Sequence, residues 1–104
     1  MSKRETGIHH EVVVETEKKV KKPPLYKVLL HNDDYTTKEF VVEILQYVFN
    51  KPNAEAVHIM LHVHQNGIGV AGTYSYEVAE TKVALVENLA QQQEFPLKCS
   101  MEEA

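Results

Sequence analysis

The stretch Tyr26-Lys27-Val28-Leu29-Leu30-His31-Asn32-Asp33-Asp34-Tyr35-Thr36-Thr37 joins two apolar segments of different period through a run of small polar side chains. Residues 26–30 are strand-like, rich in aliphatic and aromatic side chains and bounded by turn formers. From Thr37 to Phe49 the apolar residues Phe40, Val41, Ile44, Leu45 and Val48 recur at spacings of three and four, the pattern of an amphipathic helix. Between them, Asn and Asp suit a junction because their side chains bond nearby backbone N–H groups in turns and at helix starts. Thr36 with Glu39 three residues on fits a capping box. By itself the junction is strand, turn and cap, and its paired acids are only a pointer to function.

Working outward toward the N-terminus, Pro23-Pro24 stiffens the chain and marks where a folded domain, residues 23–104, begins. Residues 1–22 are mostly Lys, Glu, Thr and His around one short apolar cluster, Val12-Val13-Val14. They offer too little apolar surface to offset the cost of ordering and are expected to form a mobile tail.

Toward the C-terminus, Asn50-Lys51-Pro52-Asn53 breaks the first helix, and Asn53 suits the N-cap of a second, from Ala54 to about Gln65. Projected at 100° per residue, His58 and His62 fall on its polar side. His64 falls within a stripe made with Ala56, Val57, Met60 and Leu61, as a core histidine or as an imidazole at the mouth of an apolar pocket. His58 and His62, four residues apart, could share a metal, but His64 faces away from them. Ile59 also stands where the zinc-protease pattern needs Glu, so no metal site is expected.

Gly67-Ile68-Gly69-Val70-Ala71-Gly72 spells a dinucleotide fingerprint, yet it follows a helix and runs into strand-like Thr73-Tyr74-Ser75-Tyr76. The fingerprint requires the reverse order, so this is a glycine-rich second strand. Ser75 suits the cap of a third helix, Tyr76 to about Gln92, with Lys82 inside its apolar arc. Residues 95–101 read as a last strand containing Cys99, a small buried hydrophobe. The order β-α-α-β-α-β predicts an α+β fold, a small three-stranded antiparallel sheet packed against three helices.

Composition narrows the function. A chain of 104 residues suits one domain. No apolar run approaches the ~20 residues of a membrane-spanning helix, and no secretory signal pattern opens the chain. A single cysteine excludes an intramolecular disulfide framework and points to a reducing interior. Residues 1–22 carry a net charge of +2 and residues 23–104 a net of −6. An acidic body argues against nucleic-acid binding, which rests on Lys and Arg, and suits a cationic ligand or a basic partner surface.

Three motifs in order carry a resemblance. Residues Lys27 to Thr36, then Met60-Leu61-His62-Val63-His64, then Glu77-Val78-Ala79-Glu80-Thr81-Lys82-Val83 resemble the ClpS adaptor family, over essentially all of residues 23–104. The resemblance implies a cytoplasmic adaptor, not an enzyme and without a cofactor. It would recognise N-degrons beginning with Leu, Phe, Tyr or Trp and hand them to the N-terminal domain of a ClpA- or ClpC-type unfoldase and its peptidase. It assigns Asn32, Asp33 and His64 to the substrate's α-amino group, and Asp34, Thr36, Val41, Met60, Val63 and Leu97 to the pocket for its first side chain. Glu77 and Lys82 would face the unfoldase, with the tail assisting delivery. Thr37-Lys38 stands where the family commonly has Pro-Met, which places Lys38 at the pocket's gate.

The chemistry of the residues agrees with that assignment: an ammonium offers three donors and a charge, matched by a carboxylate, an amide oxygen and a ring nitrogen. Three rival readings remain at this level. They are a metal-dependent hydrolase using Asp33, Asp34 and histidines, a Cys99–His64–Asp33 nucleophilic set, and a ribosome-stalk-like interaction domain. Fold alone does not choose among them.

Overall fold

Val28 and Leu30 are fully buried in the middle strand as part of the main core, while Leu29 between them, on the opposite face by strand alternation, is buried outside that core cluster. The computed structural model describes residues 22–104, in the order β1 (Leu25–His31), α1 (Lys38–Tyr47), α2 (Asn53–Asn66), β2 (Ile68–Ser75), α3 (Tyr76–Gln92) and β3 (Lys98–Glu103). The expected tail lies outside the described residues except for Lys22, which is exposed. The three strands form one antiparallel sheet ordered β2-β1-β3, and the fold is α+β with three helices, as the sequence pattern predicts. Ala71 is skipped in the β1–β2 register between Val28 and Leu29, a bulge that bends β2.

Helix α3 packs against all three strands, α2 against β2, and α1 against α2. Their apolar faces meet in one core built on Phe40, Ile44, Leu45, Val48, Ala56, Met60, Val63, Ala79, Val86 and Ala90. Phe40 closes one end against Phe95, ring centroids 4.8 Å apart. Burying a Leu, Ile or Phe contributes about 1.5–3 kcal/mol each, so a core of this size supports a stable domain without staples.

Four details of the expected elements change. Thr37, not Thr36, caps α1: its Oγ1 accepts from the Phe40 N–H at 3.1 Å, and its backbone is extended. Thr36 is committed elsewhere, so the box with Glu39 does not form. Pro52 is the N-cap of α2, and Asn53 is its first helical residue with no side-chain cap bond, because the fixed φ of Pro52 (−65°) already sets the entry. Ser75 does occupy the N-cap of α3, but its hydroxyl makes no cap bond. The last strand begins at Lys98 rather than Phe95, since the ring of Phe95 turns into the core against Phe40 and Pro96 cannot join a ladder.

The buried stripe of α2 is Ala56, Met60 and Val63; Leu61 is 41% exposed and His64 is exposed. His64 therefore lies on the stripe's flank rather than at its centre. That displacement takes it out of the core and to the edge of a cleft.

Candidate functional site

Gly67 makes the site possible. It sits just past α2 with φ +85°, a conformation glycine adopts without strain, and its N–H bonds the Val63 carbonyl at 2.8 Å. Its own carbonyl accepts the Asn32 N–H at 2.8 Å, fastening the loop after β1 to the end of α2. Two residues on, Gly69 lies so close to α2 that a Cβ there would come within 2.7 Å of Val63 Cγ2 and 3.1 Å of His62 Cδ2. These two glycines hold the last turn of α2, which carries His64, beside the Asn32–Thr36 loop.

A cleft of about 220 Å³ lies at this junction. It is lined by His31, Asn32, Asp33, Asp34 and Thr36 from β1 and its loop, Lys38 and Val41 from α1, Met60, Val63 and His64 from α2, and Leu97 ahead of β3. All ten residues assigned from the sequence to amino-group binding or to the pocket line this one cavity. Polar groups from the loop and from His64 share it with the apolar side chains Val41, Met60, Val63 and Leu97. A cleft this size is smaller than the ~300–1,000 Å³ typical of cofactor and drug-sized sites, and suits one side chain with its attached polar group.

Asp33 is the most constrained group in it. Its Oδ1 accepts the N–H of Tyr35 at 2.8 Å and of Thr36 at 2.7 Å, and its Oδ2 accepts the Thr36 hydroxyl at 2.7 Å. The first of these is an Asx-turn. Partial burial pushes the carboxyl's pKa up; the Thr36 hydroxyl, the Thr36 N–H and the Tyr35 N–H act in the opposite sense and prevail, holding it below the usual value. Asp33 is thus a fixed anion at neutral pH. With about four acceptor positions on a carboxylate and three in use, one remains on Oδ2.

His31, to which the sequence assigns no site role, also lines the cleft. Its Nε2 lies 2.6 Å from Ser100 Oγ on β3, and burial, then the charge of Lys98, hold its pKa below the ordinary histidine value. The missed signal was position: it is the last residue of the strand that delivers the loop.

Lys38 is exposed at the first turn of α1 and forms no ion pair among the described residues. Glu77 and Lys82 lie apart from the cleft, beside a shallow depression on α3 lined with Val78 and Thr81. Glu77 is exposed. Lys82 Nζ turns inward, donating to the Val48 carbonyl at 2.7 Å and standing 5.1 Å from the Tyr74 ring centroid and 5.8 Å from that of Phe49.

The rival chemistries find little to work with. Among the described residues no three His, Cys, Asp or Glu side chains converge as metal ligands. His62 Nδ1 pairs instead with the Asn66 amide at 3.1 Å. The Cys99 thiol is buried away from the cleft, and burial with the charge of Glu87 pushes its pKa up to about 12, the reverse of nucleophile activation. A larger groove of about 510 Å³ runs between α1 and α3, lined by Phe40, Ile44, Tyr47 and Leu89, but Glu43 is the only titratable carboxylate on it.

Residues 21–100 match the family model described as ATP-dependent Clp protease adaptor protein ClpS. The chain is 61% identical over 97 residues to the ATP-dependent Clp protease adapter protein ClpS of Myxococcus xanthus, covering 89% of this chain and 91% of that one. It is 60% identical over 92 residues to the protein of the same name from Desulfatibacillum aliphaticivorans, covering 88% of each. A solved structure of Agrobacterium tumefaciens ClpS2 bound to L-phenylalaninamide superposes with a TM-score of 0.77 at 36% identity, over 80% of this chain and all of that one.

Proposed function

The chain belongs to the ClpS family of Clp protease adaptors, and from that premise we propose that its cleft binds the free α-amino group and bulky apolar first side chain of N-degron substrates. The observation that carries this reading is the convergence of Asn32, Asp33 and His64 with Val41, Met60, Val63 and Leu97 on one small cavity. The ligand in the Agrobacterium relative, L-phenylalaninamide, has the two features such a cavity would read, a free amino group and an aromatic side chain.

In this assignment Asp33 supplies the charge and one open acceptor position, Asn32 an amide oxygen, and neutral His64 a ring nitrogen. Hydrogen bonds to charged groups contribute about 1.5–3 kcal/mol each, and burial of a Leu or Phe side chain about 1.5–3 more. Together these can reach the roughly −8 kcal/mol of a micromolar complex only where the site is formed in advance, because association carries its own entropic cost. The fastened Asp33 turn and the loop's tie to Gly67 support that condition.

Asp34 and Thr36 complete the polar rim of the side-chain pocket, and Lys38 stands at its gate, where its length governs which first residues enter. The adaptor would present Glu77 and the stem of Lys82 on α3 to the N-terminal domain of a ClpA- or ClpC-type unfoldase, with residues 1–22 assisting delivery in the cytoplasm.

The test is a fluorescence-anisotropy series of peptides that differ only in the first residue and its acetylation. Free Phe- or Leu-start peptides bind, and acetylated or Ala-start peptides bind at least about tenfold more weakly, since each 1.4 kcal/mol is tenfold. Equal affinity for free and acetylated termini would refute the reading and favour a generic interaction domain.

A further inference from the structure

Thr36 lines the cleft, yet its polar atoms are turned toward another residue: the hydroxyl donates to Asp33 Oδ2 at 2.7 Å and the N–H to Asp33 Oδ1 at 2.7 Å. A threonine on a binding cleft ordinarily offers its hydroxyl to the ligand. Here that proton lies on a carboxylate three residues back, in a loop that needs no such bond for its turn, because the Tyr35 and Thr36 N–H groups already satisfy Oδ1. The hydroxyl bond is the one contact that fixes the second oxygen. Without it Oδ2 has no hydrogen-bond partner among the described residues.

We propose that Thr36 is the positioning residue of this site: its hydroxyl orients the Asp33 carboxylate so that one Oδ2 acceptor position is presented to the ligand's ammonium. The inference rests on the amino-group reading above and adds the group that makes Asp33 directional. It also separates two properties of Asp33. The backbone N–H groups would keep the turn, while the hydroxyl would set the orientation and add to the stability of the anion, in keeping with its direction of action on the Asp33 carboxyl.

Thr36→Val, close in shape but without the donor, and Thr36→Ser, which restores it, are compared with the wild-type chain. Two readouts are used. The first is the Asp33 side-chain carboxyl followed by ¹³C NMR below pH 5. The other titratable groups lining the cleft are His31 from β1, Asp34 from the loop, Lys38 from α1 and His64 from α2. In that range a lysine stays charged, and Asp34 and His31, whose pKa is itself lowered, are each followed separately by their own resonances. The second readout is affinity for a free Phe-start peptide at pH 7.5.

Thr36→Val moves the Asp33 midpoint upward toward the ordinary carboxylate value and lowers affinity about three- to tenfold, and Thr36→Ser returns both to within about twofold of wild type. An unmoved midpoint, an unchanged affinity, or a loss that serine does not rescue overturns the proposal. Should Thr36→Val not fold, Thr36→Ala carries the same two readouts. The NMR arm uses no peptide, so it still tests the hydroxyl's hold on the carboxylate if the wild-type chain fails to distinguish free from acetylated termini, the result that would refute the amino-group reading itself.

Discussion

Asp33 and Lys82 are both charged side chains set against apolar surface, and both are fastened by hydrogen bonds, but to opposite ends. Asp33 is held by its immediate neighbours Tyr35 and Thr36 and lines a cleft. Lys82 reaches 34 residues away to the Val48 carbonyl, at the C-cap of α1, and is flanked by the rings of Tyr74 and Phe49. The first arrangement is made within four residues of chain and leaves chemistry available. The second exists only in the folded domain and ties the ammonium to a carbonyl of another helix's C-cap. Local fastening marks a group prepared for binding, and long-range fastening marks one that joins elements.

The strongest way to break that contrast is to exchange outcomes between the two. Lys82→Met keeps the apolar stem but removes the charge-assisted bond to Val48 O and the cation–π contacts. The expected loss is about 1–3 kcal/mol in urea unfolding, with affinity for a free Phe-start peptide unchanged within about twofold. Asp33→Asn keeps a turn acceptor and removes the charge. It should lower that affinity about tenfold or more while stability changes by less than about 1 kcal/mol. If Lys82→Met weakens peptide binding, or Asp33→Asn mainly unfolds the domain, the distinction fails.

A smaller effect separates the turn from the helix beside it. Thr37→Ala removes the cap on the Phe40 N–H and should cost about 1 kcal/mol of stability, measured by thermal or urea unfolding, with peptide affinity retained. If affinity falls with it, the Asp33 turn and the start of α1 are one unit rather than two.

These residues also show how far the sequence could be read. The strand, the helices and the β-α-α-β-α-β order follow from local pattern, because β1 is a run of aliphatic and aromatic residues and α1 carries its stripe strictly. The cap was placed one residue early because Thr36 and Thr37 are chemically identical at that level. Only the competing demand of Asp33 decides which hydroxyl is free to cap. His64 reads as a stripe residue because Leu61 resembles a core side chain, whereas only Ala56, Met60 and Val63 of α2 are buried. The cleft gathers β1, α1, α2 and the approach to β3, so no single motif displays it; the resemblance to a family supplied the set. Lys82 was legible as an oddity in an apolar arc, but its partner across 34 residues was not. His31 was passed over because its place depends on how β1 pairs with β3.

His31 gives the finest test, as a cleft residue fastened like Lys82 by a distant partner, Ser100. Its folded pKa lies below the ordinary value because burial, then Lys98, disfavours the imidazolium. A group whose pKa is depressed by folding adds stability that is complete above its unfolded value, about 6.5, and is lost as pH falls through the folded one. Wild type should therefore lose slightly more stability than His31→Gln between pH 7.5 and 5.5 in paired urea titrations. The other histidines are common to both chains and cancel, and the Asp33 contribution is lost only at lower pH, below the usual carboxylate range. Equal losses would mean that His31 is as free to ionise in the cleft as in the unfolded chain. A distant partner such as Ser100 would then hold the ring in place without governing its charge, and the contrast between local and long-range fastening would narrow to Asp33 and Lys82.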